Sequence, residues 1–150
     1  MQKKNFLPRV IAMFVVVALL IPTGITVNAT EAIQPRASDY LASYGAYVYP
    51  AGNGKVSVYF NVLGTGYMDE IGALSIEIYE SRDGINWVWT ETFKFNSSFG
   101  MLGYNDNYHS GSVTYKGVAG RYYKALISVW AGKNGQGDTR YFWTSPKVAT

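Results

Sequence analysis

The chain has 150 residues, no cysteine and a formal net charge of +3 at pH 7. Lys3, Lys4 and Arg9 supply that excess, since the rest of the chain carries ten basic and ten acidic residues. The lack of cysteine excludes disulfides, thiolate metal sites and a thiol nucleophile. The neutral remainder has no basic stripe, so we expect no nucleic-acid partner.

The first 29 residues have the pattern of an export signal. The three basic residues are followed by an apolar run over Val10–Ile21, and small residues precede Ala29. The run is shorter than the ~20 residues that span a bilayer. We therefore predict a signal peptide over residues 1–29, cleaved after Ala29 or Ala32, with a retained N-terminal anchor as the alternative. The product is expected to be secreted and extracellular, without a stable membrane anchor.

Residues 30–42 are predicted to form an N-terminal arm, and residues 43–150 a single domain. Within the domain, runs of alternating apolar and polar residues are separated by Gly, Pro, Asn and Asp, which is typical of strands and turns. No helical period appears there. The pattern predicts an all-β fold, a seven-stranded antiparallel β-sandwich of the fibronectin type III or immunoglobulin-like type. The predicted strands are Ser43–Tyr49, Lys55–Leu63, Ala73–Ser81, Asn86–Phe95, Ser110–Lys116, Ala119–Ala131 and Asp138–Ser145.

Four connections between these strands have distinct compositions. Pro50–Gly54 is predicted to be a turn, because its Asn-Gly pair accepts positive φ. Gly64–Glu70 is a predicted loop, and Asn96–Asn107 is a predicted long connection between sheets. Gly132–Gly137 is predicted to be a flexible hairpin loop, since glycine is conformationally permissive.

The sixth predicted strand has the clearest alternation. One side is expected to face the core and consists of Tyr123, Ala125, Ile127 and Val129. The other side consists of Tyr122, Lys124, Leu126, Ser128 and Trp130. A strand with one apolar face belongs to a sheet that is buried on one side. Tyr123 follows a turn at Gly120, which is where a sandwich has its tyrosine corner.

Several segments resemble known bacterial sequences. Glu80–Trp87 resembles the strand-turn-strand segment of bacterial fibronectin type III-like sandwiches, and Gly120–Val129 resembles their sixth strand. A second set of segments consists of Ile33–Ser38, Asp69–Ile76, Gly120–Ala125 and Gly137–Ser145. Taken together, this set is similar to a family of small secreted proteins of Gram-positive bacteria that is defined as a domain of unknown function. The resemblance covers nearly the whole domain, implies its fold and compartment, and carries over no catalytic residue.

Residues suited to catalysis or metal binding are few and scattered. His109 is the single histidine, and its neighbour Ser110 points to the opposite face of a strand, which disfavours a Ser-His-Asp arrangement with Asp106. The carboxylates of Asp69 and Glu70 are adjacent in the chain instead of lying across a cleft. The acids in loops lack the spacing of a calcium-binding loop. We therefore predict no enzyme activity, no metal and no cofactor.

Large aromatic residues give the strongest indication of function. If predicted strands three, four, six and seven share one sheet, its outer face holds Glu77 and Lys124 together with the aromatic residues Tyr79, Tyr122, Trp130 and Phe142. Exposed aromatic patches often bind proteins or sugar rings. The competing explanation is β-propensity, or a loop or arm that covers these rings. We predict a non-catalytic extracellular interaction module that binds a glycan or a protein. The alternatives are a secreted bacteriocin-like effector and, third, a small hydrolase that uses His109.

Overall fold

The computed structural model describes residues 38–150, which form seven β-strands and no helix. The strands pair antiparallel in one sheet, so the predicted all-β, antiparallel, seven-stranded fold is confirmed. The predicted signal peptide, and the predicted arm up to residue 37, lie outside the described residues. No helix long and apolar enough to cross a membrane occurs in residues 38–150. The strands are β1 (Leu41–Gly52), β2 (Lys55–Ser81), β3 (Val88–Lys94), β4 (Leu102–Lys116), β5 (Tyr122–Lys133), β6 (Gln136–Trp143) and β7 (Lys147–Val148).

Strand β2 runs through both halves of the sheet. Its first part pairs with β1 and β4, and its second part pairs with β3 and β5. The predicted loop over Gly64–Glu70 is therefore wrong, because this stretch is part of β2 and Met68 within it is buried. The register against β4 shifts between Leu63 and Met68, which interrupts the apolar alternation without ending the strand. Two predicted strands are thus one strand of 27 residues.

Gly72 lies where the partners of β2 change. Its φ is 147°, and a Cβ added there would lie 2.2 Å from the carbonyl oxygen of Met101. The next residue, Ala73, donates its backbone N–H to that same oxygen at 2.8 Å. A side chain at this position would force the two segments apart, so the passage of β2 from one half to the other requires glycine.

Strand β4 begins earlier than the sequence predicts. It starts at Leu102, which pairs with Gly72, and Tyr104 pairs with Glu70. The second half of the predicted connection over Asn96–Asn107 is therefore strand. Its polar composition is tolerated because β4 pairs only with β2, and most side chains in this stretch are exposed.

Strand β3 contains an irregularity that changes which side chains face outward. The register against β2 shifts between Ile78 and Tyr79. Phe93 therefore pairs with Ile76 on the core side, whereas Trp89 pairs with Tyr79 on the outer side. Regular alternation would place Trp89 and Phe93 on the same face, and the shift in register is the reason why they lie on opposite sides.

Two tight hairpins set the register of their neighbours. Asn53 and Gly54 join β1 to β2 with φ values of 53° and 74°, as the predicted Asn-Gly turn requires. Asn134 and Gly135 have the same pair of φ values and join β5 to β6. The predicted flexible loop over Gly132–Gly137 is instead a two-residue turn, because Lys133 already pairs with Gln136.

The core confirms the predicted alternation of β5. Its four inward side chains are fully buried, as are four from the first part of β2 and, among others, Ile76 and Ile78 from the second. Each contributes roughly 1.5–3 kcal/mol by its removal from water, the alanine less. Both parts of β2 thus face one core, and the sheet is curled around it. The core side chains counted here are Tyr123, Ala125, Ile127, Val129, Val56, Val58, Phe60, Val62, Ile76 and Ile78.

The hydroxyl of Tyr123 is satisfied inside this core. It accepts a hydrogen bond from the backbone N–H of Val118 at 2.8 Å and donates to a carboxylate oxygen of Glu80 at 2.5 Å. Burial, together with the Glu80 carboxylate, raises the pKa of Tyr123 to about 12. A bond to backbone five residues upstream is the geometry predicted for a tyrosine corner.

The start of β1 is fastened to β6. An oxygen of the Asp138 carboxylate accepts hydrogen bonds from the Ser38 hydroxyl at 2.5 Å and from the backbone N–H groups of Asp39 and Tyr40 at 3.0 and 3.3 Å. The bond from Ser38 is the main reason why the pKa of Asp138 lies below its usual value. The opposite ends of the strand order β1-β2-β5-β6 therefore meet across the curled sheet.

Candidate functional site

The outer side of the β3-β2-β5-β6 half presents a regular grid of side chains. Paired residues in a sheet point to the same side, so the register defines rows across the four strands. One row contains Trp143, Leu126, Glu77 and Thr92, and the next contains Lys124, Tyr79 and Trp89. The row on the other side contains Tyr141, Ser128, Ser75 and Lys94. We call this surface the aromatic face and define it by Glu77, Tyr79, Trp87, Trp89, Lys94, Lys124, Tyr141 and Trp143.

Three aromatic side chains of this face are about half exposed or more. Trp89 is 55% exposed, Trp143 is 49% exposed and Tyr141 is 69% exposed. Large rings at such exposure add little to the core, since most of their apolar area remains in water. Their clustering on one side of a rigid sheet is the property of a binding surface.

Lys124 lies between two indole rings of the aromatic face. Its Nζ is 4.4 Å from the centroid of the Trp87 ring and 4.5 Å from that of Trp143. Trp143 also meets the ring of Tyr79 edge-on, with 5.0 Å between centroids. These cation–π and ring contacts fix the orientation of Trp143 although half of it is exposed.

Polar groups are held in place between the rings. The Tyr79 hydroxyl donates to Glu77 Oε2 at 3.0 Å, and this bond raises the pKa of Tyr79. The indole Nε1 of Trp89 donates to Thr92 Oγ1 at 3.0 Å. The face therefore combines stacking surfaces with hydrogen-bonding groups at fixed positions.

The four aromatic residues predicted for this surface have different positions. Tyr79 lies at its centre, as expected, and Tyr122 lies on the same side near the start of β5, at 36% exposure. The prediction that Phe142 faces outward is wrong. Phe142 pairs with the buried Ile127, packs against the core and contacts the ring of Tyr44 at 5.0 Å.

Trp130 is on the outer side but its ring is used by the fold. A Cβ added to Gly132 or Gly137 would lie 2.4 or 2.5 Å from atoms of that ring. The indole therefore covers the backbone of the β5–β6 hairpin, and side chains at those two positions would displace it. It also lines a pocket of about 420 Å³ together with Asp69, Glu70, Tyr104, Lys133 and Gln136.

Two tryptophans of the aromatic face were missed by the sequence interpretation. Trp143 follows two other aromatic residues, so alternation alone does not show which of the three points outward. The signal that identifies the outward residue is the Asn-Gly pair at 134–135. A two-residue turn there sets the register of the hairpin, so that Phe142 lies opposite Ile127 and Trp143 lies opposite Leu126. The outward direction of the Trp89 side chain follows from the irregularity in β3, and no feature of the sequence indicates that irregularity.

The other half of the sheet carries a contrasting surface on its outer side. We call it the tyrosine face and define it by Tyr47, Tyr49, Tyr59 and Tyr108. Tyr47 contacts Tyr59 and Tyr49 at 5.1 and 5.9 Å between centroids, and the hydroxyls of Tyr59 and Tyr108 are 3.3 Å apart. Small hydroxyl residues lie beside these rings, including Ser57 and Thr114, whose side-chain oxygens are 2.8 Å apart.

A polar pocket near the turn after β2 is paired internally. Glu80 and Arg121 line it and form an ion pair. Burial raises the pKa of Glu80, but the hydrogen bonds from Tyr123 and Arg121 outweigh it, so the pKa lies below its usual value. Asp83 accepts hydrogen bonds from Asn86, Ile85 and Ser81, which hold its pKa well below the usual range. These charges stabilise the turn.

His109 has the contacts of a structural residue. Its Nε2 lies 2.8 Å from the carbonyl oxygen of Gly100, and its ring lies 6.0 Å from that of Phe60. A Cβ added to Gly103 would lie 2.6 Å from Nδ1, so the ring is packed closely against the backbone. The histidine thus ties the segment before β4 to β4 itself. In the described part of the chain, no group of three or more His, Asp or Glu side chains is arranged to hold a metal ion.

Comparisons with known proteins give only weak structural similarity. No protein-family model and no curated protein sequence matches the chain. Among solved structures it is similar to Spo0M, a sporulation control protein from Bacillus subtilis, with 12% sequence identity and a TM-score of 0.39. The similarity covers 68% of this chain and 47% of that one, so the chain spans about half the length of that structure. The resemblance to small secreted Gram-positive proteins stays a prediction.

Proposed function

We propose that the protein is a non-catalytic binding module and that its aromatic face binds a glycan. The observation that carries this proposal is the band formed by Trp89, Tyr79 and Trp143, in which both indoles are about half exposed and the tyrosine touches Trp143. The apolar side of a sugar ring stacks on such rings, while its hydroxyls need polar partners nearby.

The chemistry between the rings favours a glycan over a protein partner. The centre of a stable protein interface is depleted of charged residues and is largely apolar. The centre of the aromatic face instead contains Glu77 and Lys124, with Thr92 in the adjoining position. Sugar hydroxyls donate to a carboxylate and accept from an ammonium, so they satisfy groups that an apolar partner surface would leave unpaired.

The experiment is a titration of intrinsic tryptophan fluorescence with an array of cell-wall and plant polysaccharides. Wild-type protein is expected to give a saturable shift with at least one of them. Trp143→Ala and Trp89→Ala should each weaken that binding by roughly tenfold or more, because each removes a stacking surface worth about 1–3 kcal/mol by analogy with base stacking. Tyr47→Ala, on the tyrosine face, is the matched control and should bind as wild type does.

Two outcomes would contradict the proposal. The first is a lack of any shift across the array, in which case capture of a protein from culture supernatant would point to the other class of partner. The second is equal loss of binding in the Tyr47→Ala control. Thermal melts of each variant separate loss of the fold from loss of the site.

We also propose that the curled sheet is a fibronectin type III-like sandwich whose two layers share β2, and that the protein acts outside the cell. The common core of the two halves and the bond between the Tyr123 hydroxyl and Val118 support the sandwich. The basic start and the apolar run at the N-terminus support export.

Cleavage is measurable on protein recovered from the culture medium of a secreting host. The intact mass is expected to correspond to a chain that begins at Thr30 or at Ile33. Protein that remains with the membrane fraction and retains Met1 would show instead that the N-terminal segment is an anchor.

A further inference from the structure

We infer that the glycan bound by the aromatic face is acidic and that Lys124 recognises its anionic group. This inference rests on the proposed function and adds the charge of the ligand to it. It is carried by the surroundings of the Lys124 ammonium and by the balance of charges on the face.

The ammonium of Lys124 is held in place but has no anionic partner among residues 38–150. Its Nζ lies over the rings of Trp87 and Trp143, which occupy two sides of it. Within residues 38–150, no carboxylate forms an ion pair with it. Aromatic faces attract a cation but accept no conventional N–H···O hydrogen bond, so the three N–H donors still require acceptors. An anionic ligand would supply such acceptors.

The carboxylate on the same face is already engaged. Glu77 lies in the neighbouring row, and its Oε2 accepts the hydrogen bond from the Tyr79 hydroxyl. The contrast with Arg121 is direct, because that cation is paired with Glu80 inside a pocket. Lys124 is thus a cation that is held between two indole rings and forms no ion pair with a carboxylate of residues 38–150.

The charges on the aromatic face favour an anion. Lys94 and Lys124 stand on it against the single carboxylate of Glu77. A sugar ring that contacts the exposed part of Trp143 would bring its substituents near Lys124, because Nζ is 4.5 Å from the centroid of that indole. A carboxylate on the sugar, as in a uronic acid, would form a charge-assisted hydrogen bond there, about twice as strong as a neutral one.

The test uses two ligands that differ only in charge, trigalacturonate and its methyl ester, with tryptophan fluorescence as the readout. Wild-type protein is expected to bind the acid roughly tenfold or more tightly than the ester, with a preference that falls as NaCl is raised. Lys124→Met keeps the length of the stem between the indoles and should bind both ligands equally. Lys124→Arg should retain the preference, and Lys55→Met, which removes an exposed lysine on the other half of the sheet, should behave as wild type.

The outcomes separate this inference from the proposed function. Equal binding of acid and ester by the wild type would overturn the inference and leave glycan binding standing. Binding of neutral polysaccharides with no response to either galacturonate ligand would likewise overturn the inference and leave glycan binding standing. A lack of any response to acidic and neutral sugars alike would overturn both. Equal affinity for a polyglutamate peptide would overturn the glycan assignment in favour of an acidic protein partner. If Lys124→Met lowers the melting temperature, the salt dependence of the wild type and the Lys124→Arg variant still decide the question.

Discussion

The aromatic face and the tyrosine face are built on the same strand, yet their chemistry differs. On the tyrosine face, Tyr59 and Tyr108 place their hydroxyls 3.3 Å apart, and serine and threonine residues fill the neighbouring positions. On the aromatic face, Trp89 and Trp143 are about half exposed. Lys124 lies there between the indoles of Trp87 and Trp143. On the first surface, polar side chains pair with each other, as Tyr59 does with Tyr108 and Ser57 with Thr114, whereas the second leaves a cation and two large rings for a ligand.

The difference shows how to separate β-propensity from a binding site. Tyrosine is favoured in strands, and cross-strand contacts between tyrosines are a normal way to stabilise a sheet. Such contacts account for Tyr47, Tyr49 and Tyr59 without any ligand. Exposed tryptophan beside an unpaired cation has no comparable role in folding. An aromatic surface is therefore informative about function only when its polar groups are examined with it.

The largest expected effect comes from Gly72, because both faces depend on the strand that passes through it. Gly72→Ala should reduce the free energy of unfolding by about 2–4 kcal/mol, since a methyl group would collide with the Met101 carbonyl and the backbone has a positive φ. Urea denaturation measures this loss. Gly66→Ala is the control, because no atom lies within 4 Å of its added Cβ, and it should change stability little. Equal effects of the two substitutions would show that the passage of β2 tolerates a side chain.

Tyr123→Phe gives the next largest effect and contrasts a buried tyrosine with those on the two faces. The substitution removes hydrogen bonds to Val118 and Glu80, and should cost about 1–3 kcal/mol. Tyr141→Phe, at an exposed position of the aromatic face, should leave stability unchanged. Chemical denaturation of both variants at neutral pH distinguishes them.

The same residue predicts a dependence on alkaline pH. The pKa of Tyr123 is raised to about 12 in the folded protein, against about 10 in an unfolded chain. Its contribution to stability is therefore fully present below pH 10 and is lost as the pH rises towards 12. Wild-type protein should lose more stability than Tyr123→Phe between pH 9 and pH 11. Parallel losses in the two proteins would assign the alkaline transition to other groups.

The smallest expected effect is a coupling free energy, which can be measured on both faces and compared directly. A double-mutant cycle of Trp87→Ala with Lys124→Met should give a coupling free energy of about 0.5–1 kcal/mol, the value of a cation–π pair near the surface. The corresponding cycle of Tyr59→Phe with Tyr108→Phe should give no measurable coupling, because those hydroxyls exchange one partner for water. Equal coupling in both cycles would remove the energetic distinction between the faces.

The parts of the fold that the sequence predicts are those with one dominant local signal. The inward side of β5 follows from its alternation, and the turn at Asn53-Gly54 follows from the need for positive φ. The continuity of β2 through Gly64–Glu70 was not predicted. Pairing with β4 up to Leu63 and again from Met68 holds extended a segment whose composition favours a loop. Long-range pairing outweighs local preference there.

The candidate site was predicted less completely than the fold for a related reason. Tyr79 and Lys124 were placed on the correct side because each lies in a strand with regular alternation. Phe142 was placed on the wrong side, because three consecutive aromatic residues hide the phase of the strand. Trp89 was missed because a shift in register reverses the direction of side chains beyond it. An error of one residue in the assigned alternation moves every side chain of a strand from the core face to the solvent face, or the reverse.

The shared strand also determines where the protein can be divided or extended. A cut between Leu63 and Met68 would leave β1 and the first part of β2 in one fragment and their neighbour β4 in the other. Each fragment would have an unsatisfied edge, so we expect neither to fold alone. Hydrogen exchange should accordingly report one cooperative unit rather than two. Insertions of a tag or a second module belong at the Asn134-Gly135 hairpin tip, where both residues are exposed. The Asn53-Gly54 turn is unsuitable, because Gly54 is buried and donates to the carbonyl oxygen of Thr150. The middle of the sequence, usually a natural place for a linker, here belongs to both halves at once.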